Sequence, residues 1–155
     1  TATKDSMGIT EVIEETPPDS RLYIWSMDSN GKINKTAKSL VDEDVKDSDG
    51  NPVKDEDGKK RINLGLRSIL KNEVKSQQGS LLAQTDWAVI RKSDKGTAVP
   101  ANIQTWRDAI RDKATEMETA IDNAADTDAV ATLFLSRDED GNKSGILYDW
   151  PVLGD

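Results

Sequence analysis

Residues 101–124 read ANIQTWRDAIRDKATEMETAIDNA, and the fold turns on this stretch. Ile103, Ile110, Met117 and Ala124 stand seven apart, with Trp106, Ala114 and Ile121 beside them. Arg107, Asp108, Arg111, Asp112, Glu116 and Glu118 take the opposite side. An apolar stripe with a seven-residue period packs a helix against another helix. Pro100 stands at the start, where a residue without an amide donor is tolerated. The spacing therefore predicts a helix from Ala101 to about Ala124. Its partner is either an earlier helix of the same chain or the same helix in other copies, and the first is favoured.

Upstream, Ile62, Leu66, Ile69, Leu70 and Val74 recur at three- and four-residue steps, the mark of one helical face. This predicts a helix from about Asn63 to about Ala83, with Gly79 a soft spot worth roughly 1 kcal/mol against alanine. Together the two helices make an antiparallel hairpin over residues 61–125. Between them, Leu81 to Trp87 turns the chain into a short extended piece, Ala88–Arg91, and Ser93–Gly96 reads as a turn. After them, Asp126 is placed to cap a short third helix that turns Val130, Leu133 and Phe134 inward. The last segment, residues 126–155, ends in Gly145-Ile146-Leu147-Tyr148-Asp149-Trp150-Pro151-Val152-Leu153. A terminus this apolar is expected to dock, on its own domain or on a neighbour. In isolation, both termini are expected to lack order.

The N-terminal part has a different character. Residues 1–20 carry only Ile9, Val12 and Ile13 as anchors and end in Thr16-Pro17-Pro18-Asp19. The proline pair offers no amide to a ladder and holds Thr16 extended. This segment reads as an extended arm that docks elsewhere or as a solvated terminus. Residues 21–60 are β-rich. In Arg21-Leu22-Tyr23-Ile24-Trp25-Ser26-Met27 both faces are apolar, so the strand is covered on both sides or meets a partner. Asn30-Gly31 is the preferred pair for a type I′ hairpin turn, with a return strand from about Lys32 to Ala37.

Val45–Pro52 is echoed by Val53–Lys60, each with one valine and one Asp-x-Asp-Gly turn, and Asp138–Gly141 repeats the turn. Asp-rich loops invite calcium, which needs oxygen ligands at positions 1, 3, 5 and 12 of a loop with glycine at 6. Setting Gly50 at position 6 leaves Val45 at 1, Gly58 leaves Val53 at 1 and Leu64 at 12, and Gly141 leaves Ser136 and Leu147. No loop completes the set, and β-turn chemistry is the favoured reading.

Composition mostly excludes. The 155 residues carry 21 Lys+Arg against 29 Asp+Glu, a formal charge of −8, with no Cys and no His. Disulfides, thiolate nucleophiles, zinc fingers and histidine acid/base chemistry are thereby removed. The acid excess disfavours nucleic acid and anionic membranes. No signal peptide and no bilayer-spanning run is read. Carboxylates are the remaining acid/base groups, but they cluster in turns and on polar helix faces, away from the burial that raises a pKa. No phosphate loop or dinucleotide fingerprint is present. The expectation is no enzyme, no cofactor and no metal.

One resemblance rests on Leu81-Leu82-Ala83-Gln84-Thr85-Asp86-Trp87, then Pro100, then Trp106-Arg107-Asp108-Ala109-Ile110-Arg111-Asp112. These residues resemble small tail proteins of tailed bacteriophages. That family includes tail-fibre assembly proteins and tail-associated structural proteins with a Leu-Leu-x-x-Thr-Asp-Trp helix end and an aromatic-Arg-x-x-Leu/Ile-Arg helix. The match covers about residues 61–125, with Trp106 where tyrosine is more usual. It implies a non-enzymatic component of the virion tail, in the baseplate or fibre-attachment region, present in host cytoplasm during assembly. Other tail proteins would be its partners, with a possible homo-oligomer around a symmetric tail. A tail-fibre assembly chaperone, absent from the mature virion, is the alternative.

The expected fold is α+β: arm, β-hairpin segment, antiparallel helical hairpin and docked tail. Tyr23, Trp25, Met27, Ile103, Trp106, Ile110, Met117, Tyr148 and Trp150 are the candidate partner-binding residues. Asp86, Trp87, Arg107 and Arg111 are candidates for the corner of the helical hairpin. There Arg107 or Arg111 reaches Asp86, and Trp87 closes the apolar end.

Overall fold

The computed structural model describes residues 16–154, which divide between Lys38 and Ser39 into two units. The arm as far as residue 15 lies outside the described residues. The class is α+β.

In the first unit, β1 (Tyr23–Met27) pairs antiparallel with β2 (Ile33–Ala37), setting Trp25 opposite Lys35 and Met27 opposite Ile33. The turn between them is not type I′. That geometry needs positive φ at both central residues, and among the described residues only glycines have it, Gly31 at 79°. The Asp28 carboxylate supplies the reason. Its Oδ1 accepts the amides of Asn30 (2.8 Å) and Lys32 (3.0 Å), while the Gly31 amide donates to the Asp28 carbonyl. The result is a right-handed turn closed by a glycine bulge. Nor is β1 covered on both faces. Ile24 is 66% exposed and Met27 53%, on opposite faces of the ribbon.

The second unit opens with a junction of three β-arms. β3 (Glu43–Asp44) pairs with β4 (Ile62–Asn63), and two shorter hairpins close at Lys46–Pro52 and Lys54–Lys60. They meet in a ring of backbone bonds. The Val45 amide donates to the Arg61 carbonyl (2.9 Å), Arg61 to Val53 (2.9 Å), and Val53 to Val45 (2.7 Å). The eight-residue repeat thus places three equivalent backbone positions at one centre.

The helices are α1 (Leu66–Ala83), α2 (Asp86–Lys95), α3 (Ala101–Asn123) and α4 (Thr127–Leu135), followed by a 3₁₀ turn at Ile146–Tyr148. α1 begins three residues later than the spacing predicts, because Ile62 and Asn63 belong to β4. Its inward face is Leu66, Leu70 and Val74, while Ile69 is 45% exposed. α1 runs through Gly79 without a break. Residues 88–91, expected to be extended, are helical within α2. Gly96 closes α2 in the left-handed region (φ 67°) with its amide on the Lys92 carbonyl, and Asp86 and Lys95 sit at the favourable ends of the dipole.

α1 and α3 lie antiparallel. Arg67 Nη2 donates to the Ala124 carbonyl (2.9 Å) at one end, and Arg107 Nη1 to the Leu82 carbonyl (2.7 Å) at the other. Every member of the seven-residue stripe, Ile103, Ile110, Met117 and Ala124, is buried, with Trp106, Ala114 and Ile121. Asp126 caps α4 by accepting the Ala129 amide (2.8 Å), and Val130 and Phe134 are buried, with Leu133 half-buried. Among the described residues, no helix is long and apolar enough to cross a membrane.

The C-terminal segment docks on its own unit. Leu147 is buried, Trp106 Nε1 donates to the Pro151 carbonyl (2.9 Å), and Trp150 Nε1 donates to Gln77 Oε1 (2.7 Å). Lys113 joins Asp149 at 2.6 Å. Gly145 lies so close to the Leu133 and Phe134 backbone that a Cβ there would overlap it. Of the two surfaces on which this terminus could dock, its contacts as far as Pro151 are with its own unit.

Candidate functional site

Helix geometry positions the corner between α1 and α2. Thr85, 3% exposed, follows the last turn of α1 and donates its hydroxyl to the Leu82 carbonyl (3.2 Å). Arg107 reaches this corner from α3. Its Nη1 donates to Leu82 O, to Thr85 Oγ1 (2.8 Å) and to Asp86 Oδ1 (2.9 Å), with the side chain 8% exposed. The sequence reading sets Arg107 on the polar side of α3. It stands instead at the rim, one residue past Trp106, and turns inward to donate to three oxygens of the corner. Arg111, one turn on, pairs with Asp108 of its own helix (2.9 Å) and stays exposed. Trp87 does not close the apolar end. Ala88 turns inward at 2% exposure, so the preceding residue, about 100° round the helix, points out at 52%.

The candidate partner-binding residues separate into three sets. Ile103, Trp106, Ile110 and Met117 form the core between α3 and its neighbours. As partner-facing residues they are corrected: the stripe is satisfied within one chain. Tyr148 and Trp150 are half-buried, Tyr148 with Lys143 Nζ 4.5 Å above its ring and Trp150 held by Gln77. Tyr23, Trp25 and Met27 share one face of the β1–β2 ribbon. Lys35 Nζ lies 4.8 Å from the Tyr23 ring centre, Trp25 is 37% exposed and Met27 53%.

A second apolar surface was not read from the sequence. Trp87, Val89 and Ile90 are 52%, 41% and 65% exposed on α2. The pattern that reveals it is the helix stop: Lys92 and Lys95 in the last turn before Gly96.

The Asp-Gly loops share one construction. In each, the leading aspartate accepts amides two and four residues on, as Asp47 does from Asp49 and Asn51, and Asp55 from Asp57 and Lys59. Asp138 does the same with Asp140 and Asn142. One carboxylate oxygen of each is therefore committed to the turn. Among the described residues, no group of three acidic side chains stands where it would hold a metal ion.

Electrostatics agree with a structural use of charge. Donation from the Asn142 backbone and side chain holds Asp138 below the usual carboxylate range, and Arg21 does the same for Asp19. Bonds to Asp149 and then Glu116 raise Lys113. No protein-family model matches the chain, and neither do curated proteins or solved structures.

Proposed function

We propose that the chain is a non-enzymatic structural component of a bacteriophage tail, binding neighbouring tail proteins. One observation carries the reading: the residues of the resemblance are spent on architecture. Leu82, Thr85, Asp86 and Arg107 lock the helix corner, and Trp106 ties down the C-terminal segment. Such a motif marks a scaffold, and a scaffold acts through its surface. Each unit carries exposed apolar side chains of its own, on the β1–β2 ribbon in the first and on α2 in the second.

Quantitative mass spectrometry of purified particles tests the proposal. A reproducible integer copy number supports a built-in component. If the chain occurs only in infected-cell lysate, bound to fibre chains, the assembly-chaperone reading replaces it.

A further inference from the structure

Helix α2 is the least covered of the four helices, with Ala88 its single buried residue. Trp87, Arg91 and Lys95 follow one another at four-residue steps, with Ile90 beside them, so one exposed ridge is apolar in its first turn and basic in its last. Neither base of the ridge has an ion-pair partner among the described residues. The acids of the helix are Asp86, which Arg107 holds, and Asp94. Ten residues of helix are marginal in water without packing.

The complementary surface lies on the same chain. Asn102, Thr105, Trp106 and Ala109 of α3 line an open groove with Pro151 and with Val152, which is 91% exposed. Further along that side of α3, Asp112 and Glu116 continue the line of Thr105 and Ala109 at three- and four-residue steps. Asp149 stands near them, since Lys113 bonds both Glu116 (3.0 Å) and Asp149 (2.6 Å). One lysine thus answers two carboxylates, and Asp112 has no ion-pair partner among the described residues. The groove, like the ridge, is apolar toward the start of its helix and charged further on, with the opposite sign.

We infer that α2 of one copy lies in the α3 groove of a second copy, parallel to α3. Trp87 and Ile90 then meet Thr105, Ala109 and Val152, while Arg91 and Lys95 meet Asp112, Glu116 and Asp149. The lengths agree. At 1.5 Å per residue Trp87 to Lys95 spans about 12 Å, and Thr105 lies about 10 Å from Asp112 and about 16 Å from Glu116 along the axis. The reversed orientation would set Lys95 among apolar side chains. The occupant comes from another copy because the chain's own α2 is fixed elsewhere. Arg107 holds it at Thr85 and Asp86, and Arg107 points about 140–160° round α3 from Asn102, Thr105 and Ala109. Ridge and groove therefore face different sides of the unit, and the contact is head-to-tail, leaving a free ridge at one end and a free groove at the other until a ring closes. This self-association is independent of the place in a tail proposed above.

Sedimentation of the full chain over a concentration series up to about 1 mM tests it. The mass should rise with concentration past that of a dimer, and the association should weaken several-fold between roughly 0.05 M and 0.5 M salt. Trp87→Ser/Ile90→Ser, which alters only exposed side chains, and Thr105→Arg, which fills the groove, should each weaken association at least roughly tenfold with the circular dichroism unchanged. Mixed in equal amounts, these two variants should form a dimer and nothing larger, because the first retains its groove and the second its ridge. Arg91→Glu should weaken association, and Asp112→Arg in the same chain should restore it. A chain that stays monomeric at about 1 mM, association indifferent to either variant, or a mixture that stays monomeric overturns the inference. Association of the natural chain that stops at a dimer overturns the head-to-tail contact in favour of a two-fold one.

Discussion

Between Glu43 and Asn63 the chain is ordered with Asp44, Val45 and Val53 as its only half-buried residues, and none buried. Between Leu66 and Asn123 it buries a continuous stripe in which Ile110 and Met117 are wholly inaccessible. The first region is held by a closed ring of backbone bonds and by aspartates that accept turn amides. The second is held by apolar contact between α1 and α3. The difference teaches that one short chain uses two independent sources of order. Turn chemistry acts within eight residues, whereas the contact of α1 with α3 brings together residues some fifty apart, close enough for Lys71 to pair with Asp122.

The sharpest way to break this comparison is to remove methyl groups from each region. Ile110→Ala or Met117→Ala should cost about 2–5 kcal/mol, read as a shift of the cooperative urea midpoint. Val53→Ala should stay within about 0.5–1 kcal/mol. Equal losses would mean that the junction also depends on a core.

Two changes probe how the helical region is tied together. Gly145→Ala places a Cβ against the Leu133 and Phe134 backbone, so about 1–3 kcal/mol should be lost. Faster hydrogen exchange at the Trp150 indole should accompany it. Arg107→Met strips donors from Leu82, Thr85 and Asp86 and should cost about 1–3 kcal/mol by thermal unfolding. Arg111→Met, which loses only an exposed pair, should change stability by no more than about 0.5–1 kcal/mol. Similar costs for the two arginines would show that burial at the corner is not what matters.

The junction has its own smaller test. Gly50→Ala forces a side chain into φ 84° and should cost about 1–2 kcal/mol locally. Amide exchange should accelerate over residues 46–52 while the urea midpoint of the helices stays put. A shift of that midpoint would show the two regions to be coupled.

The smallest expected effect is in pH. Asp138 is held below its ordinary value of 3.8, so its contribution is complete above that value and is lost as pH falls through the lowered one. Protection of the Asn142 amide should therefore be flat from neutral pH to about 5 and decline only below the ordinary carboxylate range. Asp138→Asn should remove that acid dependence.

Several elements were legible from residue order alone. The stripe from Ile103 to Ala124, the proline start at Pro100 and the Asp126 cap are local patterns with local causes, and each appears in the structure. The eight-residue repeat and its turns were legible for the same reason. Residues 88–91 were misread because Ala-Val-Ile-Arg favours a strand in isolation. The capping signals on both sides of that tetrapeptide decide otherwise.

What sequence determined by itself is the α+β class, the helix-forming stripe and the Asp-Gly turns, because periodicity and turn chemistry act over a few residues. Tertiary structure alone decided what covers what. It placed Ile103, Trp106, Ile110 and Met117 against the chain's own helices, brought Arg107 to Thr85 and Asp86, docked Trp150 on Gln77, and left Trp25, Met27 and Trp87 exposed. The physical reason is that an apolar side chain has the same sequence signature whether it is buried within its own chain or exposed to a partner. Only the position of the opposing surface separates the two.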